Sequence, residues 1–240
     1  MPSKYLTKQN LITAGVIIII IVGFFGYRWL NSSQRMDRQV LLRLGDNQER
    51  LKQYEDVTLK IKKNEETKNK DTASLVSLAL AWKGLGEVTK DDYFFNQALK
   101  VYKRGISLFG KENIIFYWGA GSIASSMEDF NLAEKYFKRA IALAPGYTEN
   151  YIYLADLYRF KMKKLPDEIV KVYNDGIKVT DGSLQLILDK SSYLRSVGRY
   201  EESLEGYKIL LNQYPENNGF KEVIQEVEEK INGTEKPAQD

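Results

Sequence analysis

The longest apolar run lies near the start of the chain. Residues 11–27 carry no charge and include five consecutive isoleucines. Arg28 can snorkel, and Trp29 and Leu30 extend the run to about 20 residues, the length of helix that crosses roughly 30 Å of hydrocarbon. Nothing after it reads small-x-small, so the run predicts an uncleaved anchor over 11–30 rather than a signal peptide, with a short tail over 1–10. Farther on, Val40, Leu44, Asn47, Leu51, Tyr54, Thr58 and Ile61 recur at gaps of four and three. That spacing predicts helix over 33–66. It fits a dimerising stalk or an amphipathic helix folded onto the rest of the chain, and the poor seam residues Asn47 and Thr58 favour the second. The polar residues 62–72 predict a solvated hinge, so that residues 31–71 form a juxtamembrane helix and hinge.

From residue 72 the pattern is helical and periodic. Leu75, Leu78, Ala79 and Trp82 mark one helix. Aromatic residues then recur at Tyr102, Phe137, Tyr173 and Tyr207, at intervals of 35, 36 and 34. Three positions after each stand Gly105, Ala140, Gly176 and Leu210, three of them small, as the close crossing of the two helices of one unit requires. Pro145 and Pro215 are 70 residues apart, two periods and two extra residues, which the turn at 160–165 can hold. The first unit is irregular, because the link from its first helix to Ala98 and Tyr102, through Gly86 to Tyr93, is about seven residues too long for this period. Phe220, Val223, Ile224, Val227 and Ile231 give a last helix one apolar face, with Glu222, Gln225, Glu226, Glu228, Glu229 and Lys230 on the other. This is the form of a terminal cap, because a stacked array must end on an element with a wet side. About seven helices and a cap are expected over 72–231, followed by a polar tail over 232–240.

The stretch 114–147 resembles the tetratricopeptide repeat (TPR). It has Tyr117, Ala120, Gly121 and Ala124 on one helix, Ala133, Phe137 and Ala140 on the next, and Pro145 at the close. Ala120 and Ala124 are smaller than the usual residues of that pattern. The resemblance covers residues 72–231 and implies an all-α fold, a right-handed α-solenoid of about four helix hairpins with a capping helix. It also implies that ligands lie along the concave face, lined by the first helix of each hairpin. In the register of the prolines that face holds Trp118, Ser122 and Ser125, then Ile152, Tyr153, Asp156 and Arg159, then Leu188, Asp189, Ser192 and Arg195. Aromatic and apolar anchors among a few charges suit a protein partner. Chaperone-binding members of the family grip a carboxylate with lysine and asparagine at the positions of Trp118, Ser122, Ile152, Asp156, Leu188 and Ser192. None of those residues here is basic or asparagine, so that clamp is not expected.

Composition narrows the function. The chain has neither histidine nor cysteine, which removes the commonest general base, the commonest metal ligand and all thiol chemistry. No phosphate loop, nucleophile elbow or metal motif occurs, and two acids such as Asp156 and Asp189 are a slender basis for catalysis. No enzyme and no cofactor are expected. Lys4, Lys8 and Arg28 face no acid in residues 1–30, and the other 32 basic residues balance 32 acids, so no basic face for nucleic acid is expected.

The expected partners are proteins, identity open, and the lipid bilayer through 11–30. A homodimer through 33–66 belongs to a second reading, a self-assembling anchor, and a mitochondrial-type import receptor is a third. Lys4 and Lys8 precede the span and Arg28, Arg35, Arg38 and Arg43 follow it. That count favours a cytoplasmic domain, whereas the short N-terminal tail favours the other side. The layout most resembles bacterial envelope proteins, so an extracytoplasmic domain on the bacterial cell membrane is the expectation adopted.

Overall fold

The computed structural model of the chain describes residues 38–67, 71–109 and 113–234. The anchor expected at 11–30 and the tail beyond residue 234 lie outside these. Among the described residues no helix is long and apolar enough to cross a membrane. The chain divides into two compact units, residues 1–55 and 56–240.

In the first unit, residues 38–44 are helical (α1) and Gly45 turns the chain at φ +59°. The next helix, α2, spans Gln48–Glu66, and Asn47 caps it by accepting the Arg50 N–H at 3.0 Å. The turn at Gly45 breaks the four-three pattern, so residues 38–66 are not one continuous stalk. Val40, Leu44 and Tyr54 are buried within the single chain, while Asn47 is exposed.

The second unit is an array of helix hairpins. On the part of α2 that belongs to it, Val57 is buried and Thr58 exposed, the reverse of the expected seam. Part of the expected hinge is helix: α2 runs on to Glu66, and Asn64 is buried, its amide donating to the Ser74 carbonyl at 2.9 Å. Polar composition at 62–66 concealed this, because the buried residue is itself polar: its amide NH2 donates to backbone carbonyls while its Oδ1 has no partner among the described residues.

Four hairpins follow. The first is α3 (Thr72–Thr89) with α4 (Asp92–Leu108), and the second is α5 (Ile114–Ser126) with α6 (Phe130–Leu143). The third pairs α7 (Thr148–Asp156), extended by a π-helical turn over Leu157–Met162, with α8 (Pro166–Val179). The fourth is α9 (Leu184–Ser196) with α10 (Tyr200–Gln213), and α11 (Asn218–Thr234) closes the array. That makes eight helices and a cap, one more than expected. The first hairpin is the longest: α3 and α4 have 18 and 17 residues where α5 and α6 have 13 and 14. The link that looked too long is thus helix, extended at both sides of a tight turn.

The turns explain themselves from their sequences. Within hairpins one, two and four a single residue takes positive φ, Lys90, Glu128 and Gly198 respectively. One further residue then starts the second helix, and in two cases its side chain caps that helix. Asp91 accepts from the Tyr93 N–H at 2.8 Å and Asp129 from the Leu132 N–H at 3.1 Å. The third hairpin differs. Its π-turn ends at left-handed Lys163, and Pro166 opens α8 at the one helical position where a missing N–H costs nothing. These residues absorb the two extra positions read from the proline spacing.

The repeating aromatics Tyr102, Phe137, Tyr173 and Tyr207 are each at most 4% exposed, and so build the core. A Cβ on buried Gly105 would lie 2.2 Å from the Phe116 ring of the next hairpin, and one on Gly176 would lie 2.6 Å from Tyr151. At Gly105 the close crossing expected inside a hairpin is therefore a crossing between hairpins. The apolar face of α11 covers Ile187, Tyr207 and Leu210 through Phe220, Val223 and Ile224.

Candidate binding groove

First helices of successive hairpins touch, α3 with α5 and α7 with α9, which places them on the inner side of the array. The link from α5 to α7 is made by side chains. Trp118 is half-buried and its indole N–H donates to Asn150 Oδ1 at 2.6 Å. Asn150 is fully buried, and its amide in turn donates to the carbonyls of Ala140 and Ala144 at 3.3 and 2.6 Å. The polar atom of Trp118 is therefore spent inside the fold, which leaves its ring as what it offers to a partner.

Tyr153, on α7, is 41% exposed and stacks at 5.7 Å on Phe137 of α6, with the Trp118 ring 5.6 Å away on another side. Beside this aromatic group lies a cavity of about 250 Å³. Four of the residues expected on the inner face line it: Ser122, Ser125, Tyr153 and Asp156. Ser126, Phe137, Leu157, Phe160 and Lys161 complete the lining. Sequence spacing puts Phe160 in the turn between helices. The π-turn carries one more residue per turn than an α-helix would, and it swings Phe160 into the groove, 52% exposed.

Toward the fourth hairpin the groove is charged. Asp156 is half-buried, and burial pushes its carboxyl above the usual aspartate range; the neighbouring Asp189 carboxylate pushes the same way and Arg159 opposes both. The same two acids, after burial itself, hold the Tyr173 hydroxyl far above its ordinary range. Asp189 accepts from the Gln185 amide at 3.0 Å. The Arg159 guanidinium lies 5.2 Å from the centre of the Tyr193 ring and 4.7 Å from that of Phe160, and donates to Ser196 Oγ at 3.4 Å.

The remaining expected residues serve the fold as well as the face. Ile152 packs on the central core, and Leu188 on the cluster under the cap. The Ser192 hydroxyl meets the Tyr207 hydroxyl at 3.0 Å, and Arg195 reaches Glu226 of α11 at 2.9 Å. Sequence reasoning missed Asn150, Phe137 and Phe160. Asn150 had no signal, because its partner Trp118 is 32 residues away. Among the described residues no group of three or more His, Cys, Asp or Glu side chains is placed to hold a metal ion.

Residues 115–147 match the family model of the tetratricopeptide repeat. That span is the second hairpin with the turn after it. No curated protein matches the sequence at a significant level. Similar solved structures include MamA, residues 41 to the end, from Desulfovibrio magneticus, at 14% identity and a TM-score of 0.49, covering 80% of this chain and 96% of that one. A thermophilic TPR protein of Thermus thermophilus is 17% identical with a TM-score of 0.48, covering 71% and 88%. YrrB, described as a TPR protein with an unusual peptide-binding site, is 17% identical with a TM-score of 0.44, covering 67% and 77%.

Proposed function

We propose that the chain is a membrane-anchored adaptor. Residues 11–30 hold it in a bacterial cell membrane, and the hairpin array on the extracytoplasmic side binds a protein partner within a cell-envelope complex. The observation that carries the binding role is the cavity between the second and third hairpins. There an exposed tyrosine, an exposed phenylalanine and a half-buried carboxylate meet on the inner face. Interface energy concentrates in such aromatic anchors seated beside pockets. The uncharged run at 11–27 supports the anchor.

The binding role is tested with the partner that the full-length chain retains from solubilised membranes. Tyr153→Ala combined with Ser122→Arg should weaken that capture roughly thirtyfold or more, as loss of a hot spot does, with helicity unchanged by circular dichroism. Lys103→Ala with Lys135→Ala, exposed on second helices, is the control pair. Loss of the partner in the control pair alone would place the interface on the outer side. For the anchor, deletion of residues 11–30 should move the protein from the alkali-washed membrane pellet to the supernatant. Protease added to spheroplasts should digest the array; protection would put it on the cytoplasmic side.

A further inference from the structure

The cavity holds a carboxylate. Asp156 lines it and is half-buried, yet its carboxylate makes no hydrogen bond or ion pair to any described residue. Other acids of the array are answered within the fold: Glu134 by Lys138 and the Tyr158 hydroxyl, Glu168 by Lys164, Asp189 by Gln185. Arg159 acts on Asp156 through its charge, but its guanidinium is engaged with the Phe160 and Tyr193 rings and Ser196. Lys161, on the rim, is exposed to solvent. The cavity therefore holds a carboxylate partly withdrawn from water, beside the Asp189 charge and without an ion-pair partner among the described residues.

Its other walls specify what can bring that counter-ion. Phe137, Tyr153, Leu157 and Phe160 make a largely aromatic lining. Aromatic faces take both the methylene stem and the charged head of a lysine or arginine. At about 250 Å³ the cavity lies below the roughly 300–1,000 Å³ of small-molecule sites, and suits one side chain of a longer ligand. Ser122, Ser125 and Ser126 provide oxygens for the remaining donors. A neutral apolar side chain would bury Asp156 further with nothing to pair it, and an acidic one would face two carboxylates.

We propose that this cavity is the receptor for a lysine or arginine side chain of the protein partner, held between aromatic walls with its cation on Asp156. This rests on the adaptor function proposed above and adds the chemistry of the partner's anchor residue.

The test is a random-peptide display library panned on the full-length chain in mild detergent, in parallel with Asp156→Asn and with Tyr153→Ala. Peptides enriched on the wild type should carry a lysine or arginine flanked by apolar residues. Replacing that residue by methionine should weaken binding roughly tenfold or more, the scale for losing a partly desolvated charge pair. Asp156→Asn should abolish the preference for the basic residue while still binding apolar peptides. Enriched peptides that tolerate the change to methionine, or that are acidic, overturn the cation receptor. If such peptides still need Tyr153, the groove itself stands. Peptides whose binding ignores both Tyr153 and Asp156 sit elsewhere and overturn the groove as well, as would the absence of any enrichment.

Discussion

Asp156 costs the fold stability at neutral pH, and the sign follows from its surroundings. Burial and then the Asp189 charge raise its folded pKa above the ordinary value near ~3.9, with Arg159 opposing. The folded state therefore binds more protons than the unfolded one between those two values, and stability falls as pH rises through that window. Asp156→Asn should raise the urea midpoint at pH 7. The gain should shrink as pH drops through the raised folded pKa, and vanish below the ordinary aspartate range, where both forms are neutral. A gain undiminished at about pH 3 would mean that packing, not charge, is responsible. Residues that weaken the fold at neutral pH yet sit in a cavity are where binding function concentrates. How far the sequence discloses such residues depends on their neighbours. Ser122, Tyr153 and Asp156 were legible, because the repeat resemblance, set in the register of the prolines, assigns them to the inner face. The Trp118–Asn150 bond and the stacking of Tyr153 on Phe137 were not, because each joins different helices and no local pattern records it.

Among the elements, what repeats was legible and what breaks the repeat was not. The intervals between Tyr102, Phe137, Tyr173 and Tyr207 located four second helices, since a buried aromatic must return once per unit to fill the same gap. Leu75, Leu78, Ala79 and Trp82 likewise located α3, and all four are buried. The lengths of α3 and α4 were hidden, because helix can lengthen without disturbing the packed positions. The π-turn at Leu157–Met162 was hidden too, because it is a local rearrangement that tertiary packing decides. Glycines in this array separate by the same logic of contact. Gly84, inside α3, has open space where a Cβ would go, whereas Gly105 has the Phe116 ring at 2.2 Å. Gly84→Ala should stabilise the array by about 0.5–1 kcal/mol through helix propensity and a less free unfolded chain. Gly105→Ala should destabilise it by about 1–3 kcal/mol by overpacking the crossing between the first two hairpins. Urea midpoints at unchanged m-value measure both. Equal effects of one sign would show that α4 and α5 do not approach as closely as the Gly105–Phe116 contact requires.

For the array as a whole, the cap sets the integrity of one end. The α11 helix meets α10 and α9 through Phe220, Val223 and Ile224 over Ile187, Tyr207 and Leu210, with the Phe220 ring 6.3 Å from Tyr207 and 6.4 Å from Tyr214. Its ion pairs, Arg195–Glu226 and Lys208–Glu228, are exposed and worth about 0–1 kcal/mol each. The apolar contact must therefore do the holding. Arg195→Ala with Lys208→Ala should change stability little, whereas ending the chain after Asn217 should leave the Tyr207–Leu210 face wet. In a stacked array each unit contacts only its neighbours, so the damage should stay local. Hydrogen exchange should show α9 and α10 losing protection while α5 to α8 keep theirs. Uniform loss along the array would mean that the four hairpins unfold as one cooperative body. The truncation also divides the groove. Asp189 rides on α9, whereas the cavity is built wholly from α5, α6, α7 and its π-turn. A partner anchored in that cavity should still bind the truncated chain, weakened only as far as a loosened α9 carries Asp189 away from Asp156. A partner lost altogether would have its main hold on the fourth hairpin, at Leu188 and Arg195 rather than at Tyr153.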